Sequence, residues 1–270
     1  MPELPEVEVT RLGITPWLQG QTIAAIHIYH KQLRWPIPES LYQLAGHRIE
    51  AIERRAKYLI VHCKQGYLLL HLGMSGKLRV VGKETPRVKH DHFEIELTSG
   101  QSMRLNDPRR FGAVLWFADI SALNYHLKSL GPEPLLAEFT AEYLYQKSRN
   151  KQTAIKPFIM DNKIVVGVGN IYATESLFLS GIHPKRAAGN ISLKRYKILV
   201  ENIKKVLAAA IEQGGTTLKD FAKADGNPGY FAQKLLVYGR SGQACTVCGE
   251  TLKSMQLGQR ASVYCKNCQK

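Results

Sequence analysis

Two cysteine pairs near the end of the chain constrain its fold more tightly than any other feature. They are Cys245-Thr246-Val247-Cys248 and Cys265-Lys266-Asn267-Cys268, with sixteen residues between them. Two thiolate pairs on tight knuckles, joined by a spacer of hairpin length, suit a closed tetrahedral zinc site. Four sulfurs leave no open position for water or substrate, so one structural Zn2+ is expected, held by Cys245, Cys248, Cys265 and Cys268. A tail this short buries little core, and the metal would supply its folding energy. Residues 234–270 carry Lys234, Arg240, Lys253, Arg260, Lys266 and Lys270 against Glu250 alone. A basic zinc hairpin suits a nucleic-acid finger. Zinc ribbons also bind proteins, so this reading stays open on the tail alone.

Charge points the same way for the whole chain. Lys and Arg number 37 against 22 Asp and Glu, a net charge of +15. That excess favours a polyanionic partner. At 270 residues and 44% hydrophobic content the chain supports more than one core. No apolar run is long enough to span a bilayer. The opening residues lack the basic flank and apolar stretch of a secretory signal. The expectation is a cytoplasmic protein with no membrane partner.

Periodicity divides the chain. Thr22 to Tyr29 is β-branched and apolar, and the runs Tyr58 to Val61 and Tyr67 to Leu70 flank Lys64-Gln65-Gly66, a hairpin signal. Phe93, Ile95 and Leu97 alternate with His92, Glu94 and Glu96, which predicts a strand with one wet face. Met103 to Leu105 and Ala113 to Phe117 follow as further strands. Several short, closely spaced strands predict a β-sandwich or barrel up to about residue 130. Gly131-Pro132-Glu133-Pro134 breaks the pattern. Beyond it Tyr196, Leu199, Ile203, Val206 and Ala210 step by three and four, with Ser192 as N-cap and Gly214-Gly215 as the stop. A shorter helix is expected from Asn170, acting as cap, to Gly181. The division is 1–130, 131–234 and 235–270, an α+β multidomain chain.

The start, Met1-Pro2-Glu3-Leu4-Pro5-Glu6-Val7, reads as a helix opening. Pro2 and Pro5 fit a first turn, Glu3 and Glu6 complement the helix dipole, and Leu4, Val7 and Leu12 form an apolar stripe. Removal of Met1 would leave the secondary amine of Pro2 as the terminus. An α-amine has a pKa of about 7.7–8.0, against about 10.4 for lysine. Such an amine beside Glu3 is a possible nucleophile and acid pair; an ordinary helix start accounts for the same residues.

Other stretches carry weaker signals. Val165-Val166-Gly167-Val168-Gly169-Asn170 leads into a helix, either gripping a phosphate or packing a tight turn. It completes no nucleotide-binding fingerprint, so no organic cofactor is expected. Arg54-Arg55-Ala56-Lys57-Tyr58, Asp107-Pro108-Arg109-Arg110-Phe111-Gly112 and His71-Leu72-Gly73-Met74-Ser75-Gly76 are turns bearing cations and exposed-looking apolar residues. Together they suit a protein that opens duplex DNA, with cations for phosphates and wedges for the base stack. His90-Asp91-His92 reads as surface or hydrogen-bonded groups rather than as metal ligands.

The opening Pro2-Glu3-Leu4-Pro5-Glu6-Val7-Glu8, taken with the four-cysteine end, closely resembles the bacterial formamidopyrimidine-DNA glycosylases. The likeness continues in order through Arg55 to Tyr58, His71 to Gly76, Lys89 to His92, Asp107 to Gly112, Leu130 to Pro134, Val165 to Tyr172, Gly214 to Leu218, Gly229 to Gln233 and Arg260. Leu4 and the Val-Glu that follows fit this branch better than the related endonuclease VIII branch. Glu250 and Leu252 depart from the pattern, and the four ligands do not.

The resemblance implies an N-terminal β-sandwich, a helix–two-turn–helix domain and a zinc-finger β-hairpin, acting as a monomer on damaged double-stranded DNA. It implies a bifunctional enzyme that excises oxidised purines and then cuts the strand. By position, Pro2 would be the Schiff-base nucleophile and Glu3 would move protons. Lys57 would serve proton transfer or a phosphate, and Arg260 late elimination and phosphate binding. His90, Arg109, Lys151 and Asn170 would contact DNA, while Met74, Arg109 and Phe111 would fill the gap left by an extruded base. Residues 216–230 are the candidate lid over that base. The rival readings are a non-enzymatic zinc-ribbon nucleic-acid binder, an endonuclease VIII-like pyrimidine glycosylase and, more distantly, a nucleotide-dependent enzyme.

Overall fold

Glu3 caps the first helix, α1 (Leu4–Leu18), through a reciprocal capping box with Glu6. The Glu3 N–H donates to Glu6 Oε2 at 2.8 Å. Two amides that the helix leaves without partners are thus satisfied locally. Pro5 occupies the first turn as expected, whereas Pro2 lies ahead of the cap, outside the helix. Leu4, Val7, Ile14 and Leu18 are buried. Leu12 is half-buried, so the stripe rotates onto Ile14 and Leu18.

The computed structural model describes residues 2–215 and 235–270; the expected lid, 216–230, lies outside them. Two compact units result: residues up to Lys128 in one, Ser129–Ala210 with 235–270 in the other. Among the described residues, no helix is long and apolar enough to cross a membrane.

The first unit is a sandwich of two four-stranded antiparallel sheets. One sheet has the order β1 (Ile23–Ile28), β6 (Asp91–Leu97), β7 (Gln101–Asn106), β5 (Lys77–Gly82). The other has β2 (Ile49–Arg55), β3 (Tyr58–Cys63), β4 (Gly66–His71), β8 (Ala113–Phe117). Ile26, Phe93, Ile95, Met103 and Leu105 of the first sheet meet Ile52, Leu59, Val61, Leu68 and Leu70 of the second, and α1 adds Val7, Ile14 and Leu18. The outer face of the second sheet is covered by α2 (Ile120–Leu127), with Leu123 on Ile60 and Leu69.

The outer face of the first sheet departs from the sequence pattern. His92 and Glu94, expected to be wet, are buried. Strand β6 lies inside its sheet, and the β5–β6 connection folds back over it. Glu94 pairs with Arg104 at 3.0 Å and accepts the Tyr29 hydroxyl at 2.8 Å. Asp91 pairs with Arg79, and Glu96 lies 3.2 Å from His27. Alternation identified the strand correctly, but polarity did not identify water, because the charges are paired with one another.

The second unit contains α3 (Ala141–Ser148), α4 (Ile155–Met160), α5 (Asn170–Leu179) and α6 (Leu193–Gly215) as far as Ala210, around Phe139, Leu144, Ile159, Tyr172, Tyr196, Leu199 and Ile203. Gly169, not Asn170, is the N-cap of α5, and Asn170 is its first helical residue. The other end closes as a Schellman turn. Ile182 N–H donates to Leu177 O and Gly181 N–H to Phe178 O, both at 3.0 Å, with Gly181 at φ +62. Strands β9 (Lys253–Leu257) and β10 (Arg260–Tyr264) make the zinc hairpin, whose β10 packs on α5.

Candidate functional site

In the first unit the site is assembled from α1 and three turns. Pro2 stands directly ahead of Glu3, whose side chain is buried at the helix cap (2% exposed). Lys57 lies in the two-residue turn of the β2–β3 hairpin, beside Ala56 at φ +55. That turn is tied to α1. Arg54 Nε donates to Glu8 Oε2 at 2.9 Å, and Arg54 Nη1 holds Ala56 O at 3.0 Å. Arg11 Nη2 reaches the other Glu8 oxygen at 2.6 Å. Burial pushes the Glu8 carboxyl up, but the hydrogen bonds and charges of Arg11 and Arg54 outweigh it and hold its pKa below the usual value. The helix bearing Pro2 and Glu3 and the turn bearing Lys57 are therefore fixed to each other through one carboxylate.

His71 extends this group. Burial, with Lys57 and Arg34 nearby, lowers its pKa to about 4, so it is neutral at pH 7. Its Nδ1 accepts the Gly73 N–H at 3.0 Å, which assigns the ring proton to Nε2. Tyr58 packs against its ring with centroids 5.0 Å apart.

The two wedge-like tips form one platform. Asp107 is fully buried and accepts from Ser75 Oγ and from the Gly112 N–H, both at 2.7 Å. Ser75 Oγ in turn accepts the Arg109 N–H at 3.2 Å. At Gly73 (φ +63) a Cβ would lie 2.3 Å from the Phe111 carbonyl carbon, so only glycine permits this approach of the two tips. Phe111 remains 47% exposed, with the Arg109 guanidinium 4.9 Å from its ring centroid. Met74 is half-buried on the facing tip. His90, at φ +75, joins the platform through the Asp107 N–H, which donates to His90 O at 3.0 Å.

In the second unit, exposed Lys151 follows the left-handed Asn150 after α3. Asn170 opens α5 with its Oδ1 buried and without a hydrogen-bond partner among the described residues. The preceding Val165, Val166 and Val168 are buried, so this glycine-rich turn packs the helix as well as ending at its N-terminus. Arg260 is exposed at the tip of the zinc hairpin, after Gly258 and Gln259 at φ +52 and +61, the signs a two-residue I′ turn requires.

All four cysteine sulfurs lie within 4.8 Å of one another, with Cys248 and Cys265 at 3.5 Å and Cys245 and Cys268 at 3.9 Å. Tetrahedral zinc with Zn–S bonds of about 2.3 Å needs sulfurs about 3.8 Å apart. The two knuckles match: Gly249 N–H donates to Cys245 O at 2.9 Å and Gln269 N–H to Cys265 O at 3.0 Å. An all-thiolate donor set of this size fits one structural zinc.

Two functional-looking residues were missed in the sequence. Lys156 (1% exposed) donates to Ser262 Oγ at 2.8 Å and Ala261 O at 3.0 Å, joining α4 to β10. Glu175 (5% exposed) accepts three consecutive amides, from Leu236, Val237 and Tyr238, at 2.8, 3.0 and 2.8 Å. Neither has a local motif, since both bind partners more than sixty residues away.

In the first unit the arrangement sets Pro2 beside a buried carboxyl, Glu3, with cation-bearing turns on the same unit. Residues 1–114 match the formamidopyrimidine-DNA glycosylase N-terminal domain, 130–222 the helix–two-turn–helix domain of the same enzymes, and 242–270 the zinc finger found in these enzymes and in isoleucyl-tRNA synthetases. The chain belongs to the formamidopyrimidine-DNA glycosylase family. It is 57% identical to the formamidopyrimidine-DNA glycosylase of Idiomarina loihiensis and 59% identical to that of Photobacterium profundum, each over 100% of both chains. It is also similar to the Lactococcus lactis enzyme solved with DNA containing an abasic site (TM-score 0.90, 33% identity, 99% of each chain). A second structure of that enzyme, with DNA containing an N7-benzyl-formamidopyrimidine deoxyguanosine, matches at TM-score 0.90 and 33% identity over 100% of each chain.

Proposed function

We propose that this chain is a bifunctional glycosylase and abasic-site lyase that removes oxidised purines, 8-oxoguanine and formamidopyrimidines, from duplex DNA and then cuts the strand. The observation that carries this reading is the position of Pro2, immediately ahead of a buried, helix-capping Glu3 on a helix tied to the Lys57 turn. It works as a monomer in the cytoplasm, at the nucleoid.

A glycosylase cannot reach its bond inside a base stack, so the nucleotide must leave the duplex. Met74, Arg109 and Phe111, on their shared platform, fill the vacated space. Unstacking costs a few kcal/mol per step, which wedge contacts and DNA bending offset. His90, Arg109, Lys151 and Asn170 contact the DNA, and Arg260 binds a phosphate.

With Met1 removed, the Pro2 nitrogen attacks C1′. The glycosidic bond breaks, its electron pair leaves with the base, and the base takes a proton. Glu3, held out of bulk water, delivers protons to the opening sugar. The attacking amine is secondary, so after it bonds to C1′ and gives up its one N–H proton the nitrogen has none left to lose, and sugar opening gives an iminium that carries a fixed positive charge. That charge acidifies the C2′ proton; its loss expels the 3′ phosphate, and a second elimination expels the 5′ phosphate. Lys57 serves proton transfer or the neighbouring phosphate, and Arg260 assists the late elimination by steadying the departing phosphate. Zinc, when bound, supplies folding energy to the hairpin that carries Arg260.

Borohydride trapping on a duplex with 8-oxoguanine opposite cytosine tests this. The expected result is a covalent adduct mapped by mass spectrometry to the peptide beginning with Pro2. No adduct, or an adduct on a lysine, overturns it. Faster excision of oxidised pyrimidines than of 8-oxoguanine would reassign the substrate.

A further inference from the structure

The buried charges on the outer face of the first sheet matter because of what they hold. Arg104 is 2% exposed. Beyond its pair with Glu94, its Nη1 donates to Thr85 O at 2.7 Å and Pro86 O at 3.3 Å, and its Nη2 to Lys83 O at 3.4 Å. Three carbonyls of the β5–β6 connection are thus held by one guanidinium. The same connection is pinned further along. Asp91 accepts the Val88 N–H at 3.0 Å, and Asn106 Nδ2 donates to Lys89 O at 2.9 Å and to Asp91 Oδ1 at 3.0 Å.

The side chains of this connection face outward while its backbone is tied inward. Lys83, Glu84, Arg87, Val88 and Lys89 are exposed. Arg87 is laid over the Tyr29 ring at 3.7 Å. Tyr29 is itself oriented by its bond to Glu94, the partner of Arg104. The connection ends at His90, which is joined to the Asp107 platform. Cations at Arg87 and Lys89 lead to the imidazole of His90 on a backbone tied to the sheet, with Glu84 the one acid of the segment.

We propose that Arg104 is a positioning residue for DNA binding: by tying the 83–86 backbone to the sheet, it presents Arg87 and Lys89 beside His90 as a preformed row for the DNA phosphates. A loop ordered before binding loses less conformational entropy on binding than a free one. This rests on the DNA reading given above, and it adds a set of backbone contacts and the buried residue that arranges them.

The test is equilibrium binding of the zinc-loaded full-length protein to a duplex carrying a tetrahydrofuran abasic analogue, across a salt series. Removing one cation from a DNA phosphate lowers the slope of log K against log salt by about 0.9. Arg87→Ala with Lys89→Ala is expected to weaken binding at least tenfold and flatten the slope by about 2, the amount for two phosphates. Arg104→Lys keeps the charge beside Glu94 and loses the fork. It is expected to raise KM for an 8-oxoguanine duplex several-fold with little change in kcat, and to make the Arg87 and Lys89 substitutions cost less when combined with it than they cost in the parent. Additive effects in that combination, or a loss in kcat instead of KM, overturn the positioning role. If Arg104→Lys does not fold, an unchanged slope in the Arg87 and Lys89 variant overturns the row and a flattened one sustains it. A flat salt response in the unmodified protein would instead overturn the DNA reading.

Discussion

Arg54 reaches across from strand β2 to Glu8 on helix α1, at 2.9 Å, and so fixes the helix that opens the chain to the turn that carries Lys57. Glu8 also holds Arg11, so one carboxylate serves two guanidinium groups. Turning it into an amide removes the charge the two cations share and sets an NH2 donor against one of them in a mostly buried setting. Glu8→Gln is expected to lower stability by about 1–3 kcal/mol at pH 7. Because the folded-state pKa of Glu8 is depressed, its contribution is present above the ordinary carboxylate pKa and disappears as pH falls through the lowered value. Urea unfolding at pH 7 and pH 3 checks both points: the variant should differ from the parent at the first pH and approach it at the second.

His71 predicts a second pH dependence in a different window. Its folded-state pKa is lowered to about 4, mainly by burial and then by Lys57 and Arg34. An unfolded histidine titrates near 6.5. Between these values the unfolded chain binds the extra proton, so stability rises with pH across that interval and is fully present above it. Across the window this single group contributes up to about 3 kcal/mol. His71→Asn should flatten the unfolding free energy between pH 4 and pH 6.5; a variant with the same slope as the parent would assign the dependence to other groups.

Asp107 holds two tips with one carboxylate. Asp107→Asn keeps the size and removes an acceptor oxygen, leaving either the Ser75 hydroxyl or the Gly112 amide facing a donor. A loss of about 1–3 kcal/mol is expected, together with slower single-turnover excision, since Met74 and Phe111 would no longer share a fixed platform. Ser75→Ala removes a smaller part of the same link and should cost about 1 kcal/mol. Chemical denaturation and single-turnover kinetics on one lesion duplex measure both.

Glu175 predicts the most damaging single-atom change in the second unit. Its carboxylate accepts three successive amides. Glu175→Gln replaces one acceptor oxygen with a donor amide and leaves at least one buried N–H unpaired. The expected loss is about 2–4 kcal/mol. Hydrogen exchange should show faster exchange at Leu236, Val237 and Tyr238 before the rest of the unit; uniform loss of protection would point to a general destabilisation instead.

The zinc ligands, the first helix, the strand runs and the long α6 were legible in the sequence because each rests on local spacing. Cysteine knuckles, prolines and acids in a first turn, a two-residue alternation and a three-to-four-residue step are all set by neighbours along the chain, whereas the reciprocal capping box of Glu3 and Glu6 emerged only in the structure. Tertiary structure decided what lay between such elements. It buried His92 and Glu94 by folding the β5–β6 connection over their sheet, and it shifted the cap of α5 from Asn170 to Gly169. It also brought Arg54 to Glu8 and Asp107 to Ser75, and it set Glu175 under three distant amides and Lys156 against Ser262. These pairings join residues 32 to 106 positions apart. No short-range pattern encodes them, because their energy appears only when packing removes water from both partners at once.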